Sequence, residues 1–167
     1  RKLTTRPLKA SFSELQMNCA EFGVIVVIVD HISKTYLNGL TKWLPHNRAL
    51  IALSLRGGYE DIFWFTFFHE IGHILQNKKS TTFIDMEEHE LNDLEKEADQ
   101  FALQTLLSYD SYKLLVETEG YKDVGLLREF SRSQRIHPGI LVGRLMKDKY
   151  VEYGDPVLQK IRVKIPK

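Results

Sequence analysis

Hydrophobic positions in residues 8–21, LKASFSELQMNCAE, recur at roughly helical spacing through Leu8, Phe12, Leu15 and Met17, and Gly23 closes the pattern, so a first helix is predicted there. GVIVVIVD at 23–30 is β-branched nearly throughout, the composition of a strand covered on both faces. NGL at 38–40 reads as a hairpin turn before TKWL, and ALIALSL at 49–55 as another buried strand. These segments make a small sheet.

After Arg56-Gly57-Gly58 the period changes. Glu60 and Asp61 stand where acids favour a helix N-terminus, and the apolar run IFWFTFF leads into HEIGHILQ, so this helix is apolar all round and therefore buried. NKKSTTFIDMEE at 77–88 is polar with a short β-like centre, and ELNDLEKEADQFALQTLL at 90–107 returns to helical periodicity. Two further helices, about 111–117 and 124–135, precede the Pro138-Gly139 turn and an amphipathic ILVGRLMKDKYV. Strands early and helices late predict an α+β fold, a small mixed sheet packed on a helical core. With no internal repeat or low-complexity linker, one domain is expected over 1–167: an N-terminal helix to 22, a sheet region over 23–58, two site-bearing helices over 59–107 and a helical region from 108.

Composition narrows the class. A chain of 167 residues can bury roughly two-thirds of its unfolded surface in one core, and 43% apolar with 27% charged residues is ordinary for a soluble globular protein. A formal charge of +1 argues against direct nucleic-acid binding by this segment. The longest apolar stretches fall well short of the roughly 20 residues that cross a bilayer, and no secretory signal opens the chain. One cysteine, Cys19, excludes an internal disulfide and fits a cytoplasmic location. The chain starts at Arg1 rather than Met, which points to a piece of a longer protein with room for a domain upstream.

The chemistry is concentrated in FFHEIGHILQ at 67–76. On a helix, positions i and i+4 lie one above the other, so His69 and His73 aim both imidazoles at a common point, as zinc requires. Glu70, rotated about 100° from His69, reaches the attacking water as a base without being a ligand. Gly72, costing about 1 kcal/mol relative to Ala inside a helix, suggests a close packing partner. The bland alternative, a buried helix with ordinary hydrogen-bonded histidines, is disfavoured because three titratable groups in the most apolar helix are costly to bury without a compensating role.

A catalytic zinc keeps three protein ligands and an open position. None of His31, His46, His89 and His137 follows the motif at the short spacing of a third histidine, which leaves Glu95 and Glu97 in LEKEADQFA. With the apolar face of that helix centred on Ala98, Leu91, Leu94, Phe101 and Ala102 lie within about 60° of it. Glu95 falls about 60° off centre at the core edge, and Glu97 about 100° away on the opposite, solvent flank. Glu95 is therefore the expected third ligand. Asp99, at i+4 from Glu95, is placed to hold a histidine from behind. Glu90, Asp93 and Glu97 are assigned to a solvated acidic face, and His89-Glu90 to a helix start, since Asp93 stands where a second histidine would be needed.

FWFTFFHEIGHILQ and EKEADQFALQTLL resemble the active-site helix and the E-x-x-A-N/D-x-F-A helix of the ImmA/IrrE family of zinc metallopeptidases. NGLTKWL, LSLRGG, KKSTTFID and IHPGILVGRLMKDKYV resemble flanking segments of members fused to a helix-turn-helix regulator, so the likeness covers most of residues 20–150. Leu-Leu-Ser ends the second motif where many members have Leu-Met-Pro. The resemblance implies a zincin-like fold and Glu95 as third ligand. It also implies one zinc ion per chain and a protein substrate that is a repressor or other regulator.

Glu70 is then the expected general base, with His137, Arg144 and Arg56 as candidates for stabilising the oxyanion. The competing class is a metal-holding domain retained for regulation or protein interaction without hydrolysis. Intact Glu70 disfavours it, because structural zinc sites are closed by four ligands and use no base.

Overall fold

The computed structural model describes residues 1–29, 38–76 and 88–166, with side chains omitted over 88–91. His31, the β-like centre expected within 77–88, and the side chains of His89, Glu90 and Leu91 lie outside the described residues. The fold is α+β, as the order of periodicities predicts.

After a 3-10 turn at Lys2–Thr5, α1 runs over Leu8–Ala20 and leads into β1 (Val24–Val29). β2 (Gly39–Leu44) and β3 (Arg48–Ser54) form a hairpin, and the sheet order is β1-β3-β2. β1 pairs with β3 in parallel from Val24↔Ala49 to Val29↔Ser54. β2 pairs with β3 antiparallel from Gly39↔Leu53 to Leu44↔Arg48.

Two strand-level expectations need correction. NGL is not the hairpin turn: Gly39 opens β2, and the reversal is made by Pro45-His46-Asn47, with His46 and Asn47 at φ of 62° and 57°. Asparagine tolerates that left-handed region, and the short loop suits the strand twist. Nor is β1 covered on both faces. Val24 and Val26 are buried beside α1, whereas Ile25, Ile28 and Val29 are exposed, because β1 is an edge strand with its helices on one side. The central strand is β3, whose Ala49, Ile51 and Leu53 are buried toward α2 (Glu60–Leu75) while Leu50, Ala52 and Ser54 on its other face are half-buried.

On α1 the buried stripe is Leu8, Ser11 and Leu15, and Met17 is exposed because it falls about 200° round from Leu15. α2 buries Phe63, Trp64 and Phe67, the Trp64 ring meeting both phenylalanines edge-on at centroid distances of 5.4 and 6.3 Å. α3 (Glu88–Leu106) packs along it, followed by α4 (Tyr109–Glu117), α5 (Val124–Ser133), α6 (Pro138–Lys147) and the short α7 (Pro156–Gln159). Ser108, Asp123, His137 and Asp155 cap α4 to α7 by accepting first-turn backbone N–H bonds.

Glu60 and Asp61 do more than face the helix dipole. Both are buried: Glu60 Oε1 accepts the Leu8 N–H at 2.8 Å, satisfying the start of α1 where Pro7 offers no side-chain cap. Asp61 pairs with Arg162, and beside that pair residues 163–165 run antiparallel to residues 58–60, the segment that leads into α2. Glu60 N donates to Val163 O at 2.9 Å and Ile165 N to Gly58 O at 2.9 Å. The sequence pattern carried no reading of this C-terminal strap.

Candidate metal centre

The helical period of α2 stacks His69 and His73 with ring centroids 4.6 Å apart and their Nε2 atoms 3.0 Å apart. Glu95 reaches across from α3, its Oε2 lying 3.2 Å from His69 Nε2 and its Oε1 3.3 Å from His73 Nε2. One donor atom from each of the three lies within 4.8 Å of the others. Both imidazoles are largely covered, whereas the Glu95 side chain is 53% exposed, so the point they share opens to solvent.

Gly72 and Ala98 allow this approach. A Cβ on Gly72 would stand 2.9 Å from Ala98 Cα, so the helices touch backbone to backbone. Gly72 follows His69 by three residues and Ala98 follows Glu95 by three, so the contact brings the ligand-bearing turns level. The close partner that Gly72 suggested is Ala98.

Each imidazole is held from behind. Asp99 Oδ1 lies 2.9 Å from His69 Nδ1, and Gln76 Oε1 lies 3.0 Å from His73 Nδ1. The chemistry of these acceptors places the proton on Nδ1 in both rings, which turns both Nε2 lone pairs toward Glu95. Gln76 Nε2 in turn donates to Leu94 O at 2.7 Å, tying the end of α2 to α3. Glu97 lies 3.4 Å from that same nitrogen and does not join the triad.

Electrostatics follow from this geometry. Burial disfavours the charged form of His69, but the Asp99 bond and the Glu70 and Glu95 carboxylates outweigh it and the net direction is upward. The same hydrogen bond is the largest cause holding Asp99 below the usual carboxylate range, with Lys147 helping. Burial pushes the Glu70 carboxyl up, partly offset by the Thr41 hydroxyl. Two imidazole lone pairs and a carboxylate crowded onto one point repel unless a cation lies among them. A His2Glu set with an open side is the donor chemistry of catalytic zinc. The residues present fit the ion.

The centre lies in a cleft of about 1090 Å3 that runs from Gly39, Thr41 and Trp43 on β2, past His69, Glu70, His73 and Glu95, to Ile140, Arg144 and Lys147 on α6. Arg144 lines it, with its guanidinium committed to Asp148, whose Oδ2 also accepts the Tyr112 hydroxyl at 2.8 Å. Arg56 is exposed in the turn before α2 and does not line the cleft. His137 is not brought here either. Its Nδ1 caps α6 by accepting the Gly139 N–H at 3.0 Å, and it lines a separate surface cleft with Lys2, Arg128, Arg132 and Arg135. Burial and the Arg128 charge lower its pKa. The placement of His137 thus removes the basis for giving it the oxyanion.

Two residues at the centre were not foreseen, Thr41 and Gln76. Gln76 stands at i+3 from His73, a spacing that could have marked it. Thr41 comes from a distant strand and carried no local signal.

An HExxH helix packed on a second helix that supplies a glutamate to the same point defines a metallopeptidase-type domain. The model of the IrrE N-terminal-like domain family matches residues 39–135, more than half of the chain, and the chain belongs to that peptidase family. Comparison with curated proteins gives no match.

Proposed function

We propose that this domain is a zinc-dependent metallopeptidase that hydrolyses a peptide bond in one regulatory protein, acting as part of a transcriptional regulator in the cytoplasm. The observation that carries this reading is a buried, unligated glutamate, Glu70, next to three converging donors in an open cleft. His69, His73 and Glu95 would hold the ion, and Asp99 and Gln76 would fix the two imidazoles. When bound, zinc supplies a Lewis acid that polarises the scissile carbonyl and brings the pKa of water to about 7. Glu70 takes a proton from the attacking water and returns it to the leaving amine; its burial, which raises its proton affinity, suits both halves of that transfer.

The test separates holding the metal from hydrolysis. Purified protein should carry one zinc per chain by elemental analysis, and Glu70→Gln should keep it while abolishing cleavage of the physiological target. Glu95→Ala should lose metal. Full occupancy in Glu95→Ala together with loss in Glu97→Ala would overturn the ligand assignment. A Glu70→Gln protein that still cleaves the target would remove the base.

A further inference from the structure

We infer that β2 is a cradle for the general base: Thr41 orients the Glu70 carboxylate through one oxygen, and Gly39, two residues earlier on the same face of the strand, leaves the notch that admits the other. Thr41 Oγ1 lies 2.6 Å from Glu70 Oε2 and 3.2 Å from the Glu70 carbonyl oxygen. The hydroxyl has one proton, and the shorter contact to the carboxylate takes it. A Cβ on Gly39 would stand 2.5 Å from Glu70 Oε1 and 2.9 Å from Glu70 Cγ. Gly39 has no left-handed φ, so backbone freedom does not explain it. What explains it is the close approach of the strand to α2, where the Glu70 carboxylate and the Thr66 methyl, 2.6 Å from that Cβ, both stand against it.

With Oε2 fixed, Oε1 makes no hydrogen bond to the described residues and remains the oxygen available to a water in the cleft. A carboxylate free to rotate would present either oxygen at either angle. Held this way, it presents one, and positioning of this kind is what proton transfer requires. Thr41 and Gly39 are thus positioning residues. Their meaning depends on Glu70 acting as the base in the hydrolytic reading above.

The test uses acetohydroxamic acid, which chelates a metal ion through its two oxygens and hands its proton to a neighbouring carboxylate. Binding is followed on the cobalt-loaded protein by visible absorption, a readout that needs no substrate. Thr41→Val, close in shape but without the hydroxyl, should bind acetohydroxamate about tenfold more weakly, because the proton-accepting oxygen is no longer held toward the ligand. Its metal content should stay near that of the wild type, its melting temperature should fall by only a few degrees, and Thr41→Ser should restore binding. Gly39→Ala should weaken binding in the same direction. If Glu70→Gln lowers the affinity but Thr41→Val binds like the wild type, the cradle is wrong. If Glu70→Gln leaves the affinity unchanged, the role of Glu70 as base fails with it. A Thr41→Ser protein that binds as poorly as Thr41→Val would also overturn the proposal, by showing that shape rather than the hydroxyl matters.

Discussion

His69 is oriented by a charged acceptor, Asp99, and His73 by a neutral one, Gln76. Hydrogen bonds with an ionised partner are about twice as strong as neutral ones. Removing either partner is expected to weaken zinc binding by about 10- to 100-fold, and Asp99→Ala should lie at the larger end. A chelator-competition titration of zinc measures both. Gln76→Ala carrying the larger loss would mean that its bond to Leu94 O, which joins the two ligand helices, outweighs its bond to His73. At this scale the sequence is informative where one helix decides the matter. About 100° per residue put Glu95 at the core edge, Glu97 on the solvent flank and Asp99 on the Glu95 flank; in the structure Glu95 Oε2 lies 3.2 Å from His69 Nε2 and Asp99 Oδ1 2.9 Å from His69 Nδ1. Thr41 meets Glu70 across 29 residues of chain, so no local period could announce it.

Between elements, the α2–α3 contact at Gly72 and Ala98 sets where Glu95 arrives. Gly72→Ala should favour α2 as a helix by about 1 kcal/mol. Against that, the new methyl meets Ala98 backbone 2.9 Å away. A backbone atom cannot swing aside, so the helices must part, at a cost of about 1–3 kcal/mol. The cost wins. Thermal melts should show lower stability, and zinc affinity should fall as Glu95 retreats. Gly154→Ala, where an added Cβ meets nothing within 4 Å, should be neutral in both measurements. Element type was legible because apolar periods are local: β1, β3, α1, α2 and α3 all form where the pattern put them. Which face a strand covers depends on its neighbours. β1 reads as a central strand by composition and becomes an edge because β3 takes the middle of the sheet.

Across the molecule, one buried ion pair ties the C-terminal strap to the start of the metal-bearing helix. Arg162 donates to both Asp61 oxygens and stacks over the Tyr59 ring at 3.9 Å, with both charged side chains under 10% exposed. Gly143 is part of the arrangement, since a Cβ there would collide with Asp61 Oδ2. Breaking such a pair from one side leaves a buried charge and costs about 3–5 kcal/mol. Arg162→Leu should therefore lower the melting temperature by on the order of 10 °C for a chain of this size. Zinc acts on a different part of the same helix. Asp61 precedes His69 by eight residues, about 12 Å along the axis, beyond the range at which effects usually couple. At a free zinc concentration a hundred times the dissociation constant, binding should add about 2.7 kcal/mol to stability, a rise of about 5–10 °C, reversed by EDTA. That rise should survive intact in Arg162→Leu, on a lower baseline, and shrink in Glu95→Ala, on an unchanged one. Scanning calorimetry of the two variants with and without zinc measures all four values. If Arg162→Leu also loses the zinc-dependent rise, the strap is part of the metal site rather than a scaffold for α2.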